Sequence, residues 1–166
     1  MIDDLQPDDL PQLVPLLRAL NALHAAQVPG RFHGDASDGA LAQHLADLLA
    51  SGARGLVYRT EGVARGYLLW RRRDLPGDAV ACARSVAVLD HIAVAPSWRR
   101  RGIARRLALR FEARARAAGC DGWIVTVHGF NGASSALMRG LGARDAVTVL
   151  AKPFAPSSRA PCTSRW

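Results

Sequence analysis

The sequence predicts an α/β (α+β) fold, a mixed sheet with helices on both faces, and two features carry that expectation. Helical and strand periodicities follow one another in the order helix, helix, hairpin, strand, helix, strand, helix, strand. A basic loop, Arg99-Arg100-Arg101-Gly102-Ile103-Ala104, joins a β-branched run to an amphipathic helix. At 166 residues the chain is long enough for one domain with a full core and too short for two ordinary ones. Residues 1–154 are expected to form that domain. Residues 155–166, rich in Pro and Ser and without periodicity, are expected to be a loose tail.

From Leu10 to Ala25, Leu13, Leu16, Leu17, Leu20 and Leu23 recur at helical spacing. Pro11 suits the first turn, whereas Pro15 predicts a kink or a delayed start. Val28 to Gly34 reads as a loop. Asp38 is expected to cap a second helix to about Ala50, ended by Ser51-Gly52. Leu56 to Arg59 and Arg65 to Arg71 read as strands of a hairpin turning at Glu61-Gly62. Pro76-Gly77-Asp78 turns the chain before a strand from Val88 to Val94, which Pro96 closes. Ile103, Leu107, Phe111 and Ala115 then mark one side of a helix. Trp123 to Val127 reads as a strand, Asn131 begins a short helix, and Val147 to Leu150 reads as a final strand.

The loop between the strand and the long helix is built for an anion. Gly102 lacks the Cβ that would block close approach, and a helix N-terminus directs free N–H groups and positive dipole outward. Arginines around the opening attract a polyphosphate at longer range. The segment Arg99 to Arg116 holds eight arginines and one acid, Glu112, so seven of the chain's eight net positive charges lie there. Arg110, Arg114 and Arg116 suit a solvated helix face. Arg99 and Arg101, beside the loop, suit phosphate contact or steering.

The pattern Arg-x-x-Gly-x-Ala, after a strand and before a long helix, resembles the Q/R-x-x-G-x-G/A signature of the GNAT superfamily of N-acetyltransferases. A second element agrees: Asn131 through Leu137, Gly142 and Ala143 is similar to the family's N-x-x-A-x-x-L-Y-x-x-x-G-F, with Ser134, Met138 and Ala143 as departures. The resemblance runs from about Val86 to Lys152. It implies a mostly antiparallel central sheet, a short first strand around Ile2 to Gln6, and acetyl-CoA as cofactor. Arg99, Arg100, Arg101, Gly102, Ile103 and Ala104 would then hold the pyrophosphate. Backbone groups of Ile92, Ala93 and Val94 would meet the pantetheine and the oxyanion, and Asn131 the CoA arm.

Acetyl transfer to an amine needs a neutral nucleophile, an oxyanion donor and, in some cases, a proton for the leaving thiolate. Asp90 and His91 are the candidates for deprotonation. Strand alternation puts Asp90 on the side of Ile92 and Val94 and His91 on the other. Several family members have a carboxylate or histidine at the position of Asp90, and His91 has the better free pKa, near ~6.5. Where the family offers a tyrosine to the thiolate, this chain has Met138, which cannot donate. Either the thiolate leaves unassisted, or Ser134, one helical turn back, serves. His24, Phe32, His33 and Trp70 are candidate walls of the acceptor pocket.

Composition narrows the partners. Hydrophobic residues at 49% and charged residues at 22% are those of a globular protein. The acidic start, Met1 to Asp9, does not read as a secretory signal, and no apolar run reaches membrane-spanning length, so a cytoplasmic protein is expected. Cys82, Cys120 and Cys162 lack metal-ligand or disulfide spacing, and no metal is expected. The expected acceptor is an amine of a small molecule or a protein N-terminus, in a monomer or a homodimer. The competing reading is a non-catalytic protein that uses Arg99 to Arg116 for CoA or nucleic acid. That segment's single aromatic, Phe111, lies on the apolar stripe, which argues against direct nucleic-acid readout.

Overall fold

The structure is a computed structural model and describes residues 1–152. The expected tail, residues 155–166 with Cys162, lies outside the described residues. Five strands, β1 (Ile2–Asp4), β2 (Arg54–Thr60), β3 (Val63–Leu75), β4 (Arg84–Val94) and β5 (Gly122–Val125), form one sheet in sequence order. Around it pack α1 (Leu10–Gln27), α2 (Asp38–Ala50), α3 (Ile103–Ala117) and α4 (Gly132–Arg139). The first three strand pairs are antiparallel. β4 and β5 are parallel because α3 carries the chain back across the sheet between them. Among the described residues no helix is long and apolar enough to cross a membrane.

Strand alternation splits the core into two layers. Tyr67 and Leu69 of β3 face α1 and α2, where Leu13, Leu17, Leu41 and Leu45 are buried against them. Leu68 and Trp70 face the other way, onto Ile103, Leu107 and Phe111 of α3 and Met138 of α4. β3 is therefore apolar without a break from Tyr67 to Trp70, as a strand covered on both faces must be.

Several elements differ from the sequence expectation for local reasons. α1 runs unbroken through Pro15 to Gln27, and Ser37 rather than Asp38 caps α2, its Oγ accepting from the Ala40 N–H at 3.1 Å. The β2–β3 turn places Glu61 and Gly62 at φ 53° and 75°, the pair of positive values a tight two-residue hairpin demands. β4 begins at Arg84, four residues before the apolar run, because its ladder with β3 extends to Leu75↔Arg84. The expected strand at Val147 to Leu150 is absent. Val147, Val149 and Leu150 are exposed and have no ladder partner among the described residues, and β propensity without a partner strand does not make a strand.

β4 and β5 pair only at Val86–Leu89, so the last five residues of β4 have no strand beside them on that edge. The sheet parts there.

Candidate active site

Beyond β4 the chain turns through Pro96–Trp98 into Arg99–Gly102 and enters α3. Arg100 at φ 63° and Gly102 at φ 73° are both left-handed, two residues apart, and such alternation turns successive N–H groups toward one side. Gly102 is the N-cap of α3 and supplies no side chain, so the first-turn amides have no capping partner from it. A Cβ built on Gly102 would meet nothing within 4 Å. The glycine is required by its φ, and the space before the loop is open. An anion fits this cradle, so the residues present suit the pyrophosphate that the sequence resemblance implies.

The arginines around the loop have distinct surroundings. Arg99 Nε donates to the Val94 carbonyl at 3.2 Å. Arg101 and Arg65 lie against the Trp98 ring, 4.7 and 4.8 Å from its centroid, and the buried Nε of Arg65 has no hydrogen-bond partner. Farther along α3, Arg114 pairs with Asp4 at 2.6 Å and Arg116 with Glu112 at 2.5 Å. Those two tie down the helix and its surface. Phe111 is 1% exposed and packs in the core, so it offers no stacking platform on the arginine face.

Where β4 and β5 part, a cavity of about 690 Å³ opens between the sheet, α1, α2 and α4. Its wall changes the expectation for Asp90 and His91. Leu69 pairs with His91 and Trp70 with Leu89, which leaves Asp90 as the extra residue of a β-bulge. Simple alternation would put Asp90 and His91 on opposite faces. The bulge breaks it, and both line the one cavity. Asp90 Oδ1 accepts from Arg71 at 2.9 Å, while Oδ2 is buried with no partner.

His91 lies with Nδ1 3.5 Å from the Tyr67 hydroxyl and its ring stacked 5.9 Å from that of His44. Burial, reinforced by His44, pushes its pKa down to about 4, so the imidazole is neutral at pH 7. Burial also raises the Tyr67 phenol. On the far wall, Asn131 caps α4 by accepting from the Ser134 N–H at 3.1 Å. Ser134 is half-buried, Met138 is buried, and both line the cavity.

Of the expected acceptor-pocket residues, His24, Phe32 and His33 line this cavity and Trp70 does not. Trp70 is 2% exposed and packs edge-on against Phe111, 5.5 Å between centroids, on the α3 side of the sheet. Its place in β3, one residue from Leu69, sends it to the opposite layer. The sequence reading missed His44 and His128, which also line the cavity, and Arg71, which holds Asp90. His44 lies among Leu41, Leu45 and Leu48 at helical spacing, a signal that places it near the buried face of α2. His128 sits three residues before Asn131 in a loop and gave no such signal.

The family model described as Acetyltransferase (GNAT) family matches residues 20–143. A mutant of the BH1408 protein from Bacillus halodurans is similar at a TM-score of 0.83 and 17% identity, covering 93% of this chain and 99% of that one. Aminoglycoside N-acetyltransferase AAC(6')-Iy in complex with CoA is similar at a TM-score of 0.73 and 20% identity, covering 93% of each chain. Ribosomal-protein-alanine N-acetyltransferase from Brucella melitensis biovar Abortus is similar at 0.69 and 22%, covering 93% of this chain and 99% of that one. No curated protein matches the sequence.

Proposed function

Since this chain belongs to the acetyltransferase (GNAT) family, whose cofactor is acetyl-CoA, we propose that it acetylates a primary amine of a small molecule or a protein N-terminus by direct attack within one domain. The observation that carries this reading is the parting of β4 from β5 beside the open head of α3. One end offers N–H groups and arginines to a pyrophosphate. The other leads along unpaired β4 backbone into a cavity with a carboxylate in its wall.

Acetyl-CoA supplies a thioester carbonyl that an amine can attack. The amine nitrogen bonds to that carbon, the carbon–sulfur bond breaks, the sulfur leaves with the electron pair, and the amine gives up one proton. Arg99 to Ala104 would hold the pyrophosphate, and the backbone of Ile92, Ala93 and Val94 would position the thioester arm. Asp90 holds the acceptor ammonium and takes its first proton on Oδ2, which is without a donor, and the second proton, lost as nitrogen bonds to carbon, passes to the leaving sulfur. His91, neutral and only weakly basic, accepts hydrogen bonds more readily than protons. Ser134 is the hydroxyl available to the leaving sulfur. A thiol with a pKa near ~8.5 also departs unassisted at neutral pH, so Met138 does not block the reaction.

Asp90→Asn tests the assignment. Amine-dependent CoA release should fall in kcat/KM about a hundredfold, with acetyl-CoA affinity unchanged. An unchanged kcat/KM would remove Asp90 from the chemistry.

A further inference from the structure

All five histidines of the chain, His24, His33, His44, His91 and His128, line the one acceptor cavity, although they lie in five separate stretches of sequence. They do not form a metal centre: among the described residues no group of His, Cys, Asp and Glu has metal-holding geometry. Five ring contacts instead join two of them, His24 and His128, with Phe32 and Phe130. The His24 ring meets Phe32 at 5.2 Å, His128 at 5.4 Å and Phe130 at 5.5 Å between centroids. Phe32 meets His128 edge-on at 5.4 Å, and His128 stacks on Phe130 at 5.5 Å. The loop that carries Phe32 is pinned to α1, Asn21 Nδ2 donating to the His33 carbonyl at 2.7 Å.

The charge in the cavity is sparse. Asp90 is the one carboxylate among its lining residues, and half of it is already committed to Arg71. The one permanently charged cation in the lining is Arg31, whose guanidinium lies 5.5 Å from the centre of the Phe32 ring. A polyamine or an aminosugar with several ammonium groups would bring three or more cations to a wall with a single carboxylate. Each surplus cation would lose water without gaining a partner, beside an arginine. A ligand with one ammonium has its counter-ion in Asp90, and a flat apolar body has ring edges and faces to pack on. Burial holds His91 and His128 below the usual imidazole range, so at pH 7 these rings do not repel a cation.

From this juxtaposition of one carboxylate with a wall of three rings, His24, Phe32 and His128, backed by Phe130, we propose that the acceptor is a monoamine with an aromatic body, of the arylalkylamine class, and not a polycation. The proposal rests on the acetyl-transfer reading above. Asp90 takes the ammonium, and His24, Phe32 and His128 take the ring. Phe32 and His24 are specificity-determining residues on this account.

The test is CoA release at saturating acetyl-CoA and pH 7.5 with 2-phenylethylamine, n-butylamine, spermidine and neamine, alongside direct titration of acetyl-CoA. The expected result is a kcat/KM for 2-phenylethylamine at least tenfold above each of the other three. In Phe32→Ala the KM for 2-phenylethylamine should rise about tenfold with kcat little changed, and Phe32→Tyr, which keeps a ring, should retain the native KM. Equal rates for all four amines, a preference for spermidine or neamine, or no turnover of any would each overturn the proposal while acetyl-CoA still binds. Failure to bind acetyl-CoA would instead overturn the acetyl-transfer reading beneath it.

Discussion

The two ends of the cleft are made in opposite ways. The head of α3 is built from backbone: the left-handed Arg100 and Gly102, an N-cap without a side chain, and unshared amides, all within six consecutive residues. The acceptor cavity is built from side chains that α1, the loop after it, α2, β4, the loop after β5 and α4 bring together from Leu17 to Met138. A backbone site tolerates almost any side chain and one kind of ligand. A side-chain site fixes its ligand through rings and charges. Cofactor identity is therefore written in a local pattern, whereas acceptor identity is written in the packing of the fold.

Trp70 sharpens the boundary between the two ends most strongly. Because it is buried on Phe111 in the α3 layer, Trp70→Ala should destabilise the domain by about 3–5 kcal/mol. Chemical denaturation would read that loss. A selective rise in acceptor KM at unchanged stability would return Trp70 to the acceptor pocket.

Acid should act on the acceptor end. The pKa of His91 in the folded chain, about 4, lies below its ordinary value, so the unfolded chain binds a proton that the folded chain refuses. Its contribution to stability is whole above pH 6.5 and is lost as pH falls toward about 4, a change of up to about 3 kcal/mol. His91→Gln should flatten denaturation midpoints across that window. A variant with the native pH slope would show that His91 does not control it.

What the sequence reveals divides along the same line. Gly102 among arginines, between Val94 and Ile103, is legible because helix termini and glycine follow local rules. The leucine and phenylalanine stripes placed α1 and α3 for the same reason, and the Ser51-Gly52 stop placed the end of α2. The bulge at Asp90 was hidden, since it is set by register against Leu69 and Trp70 of another strand. Simple alternation therefore separated two residues that share a cavity. Trp70 was misplaced because a strand buried on both faces gives no polar side to count from. Val147 to Leu150 had strand composition without a neighbour to pair with. The gathering of five histidines required the whole fold, and no short spacing announces it.

The measurement closest to the central claim is a calorimetric titration of acetyl-CoA into the native protein and into Gly102→Glu. Glutamate brings a carboxylate to the open face of the cradle and a side chain to a backbone at φ 73°. The account predicts saturable one-to-one binding by the native chain and a loss of at least about a hundredfold in affinity in the variant, or about 2.7 kcal/mol. Equal affinity in both proteins, or none in the native one, would contradict it.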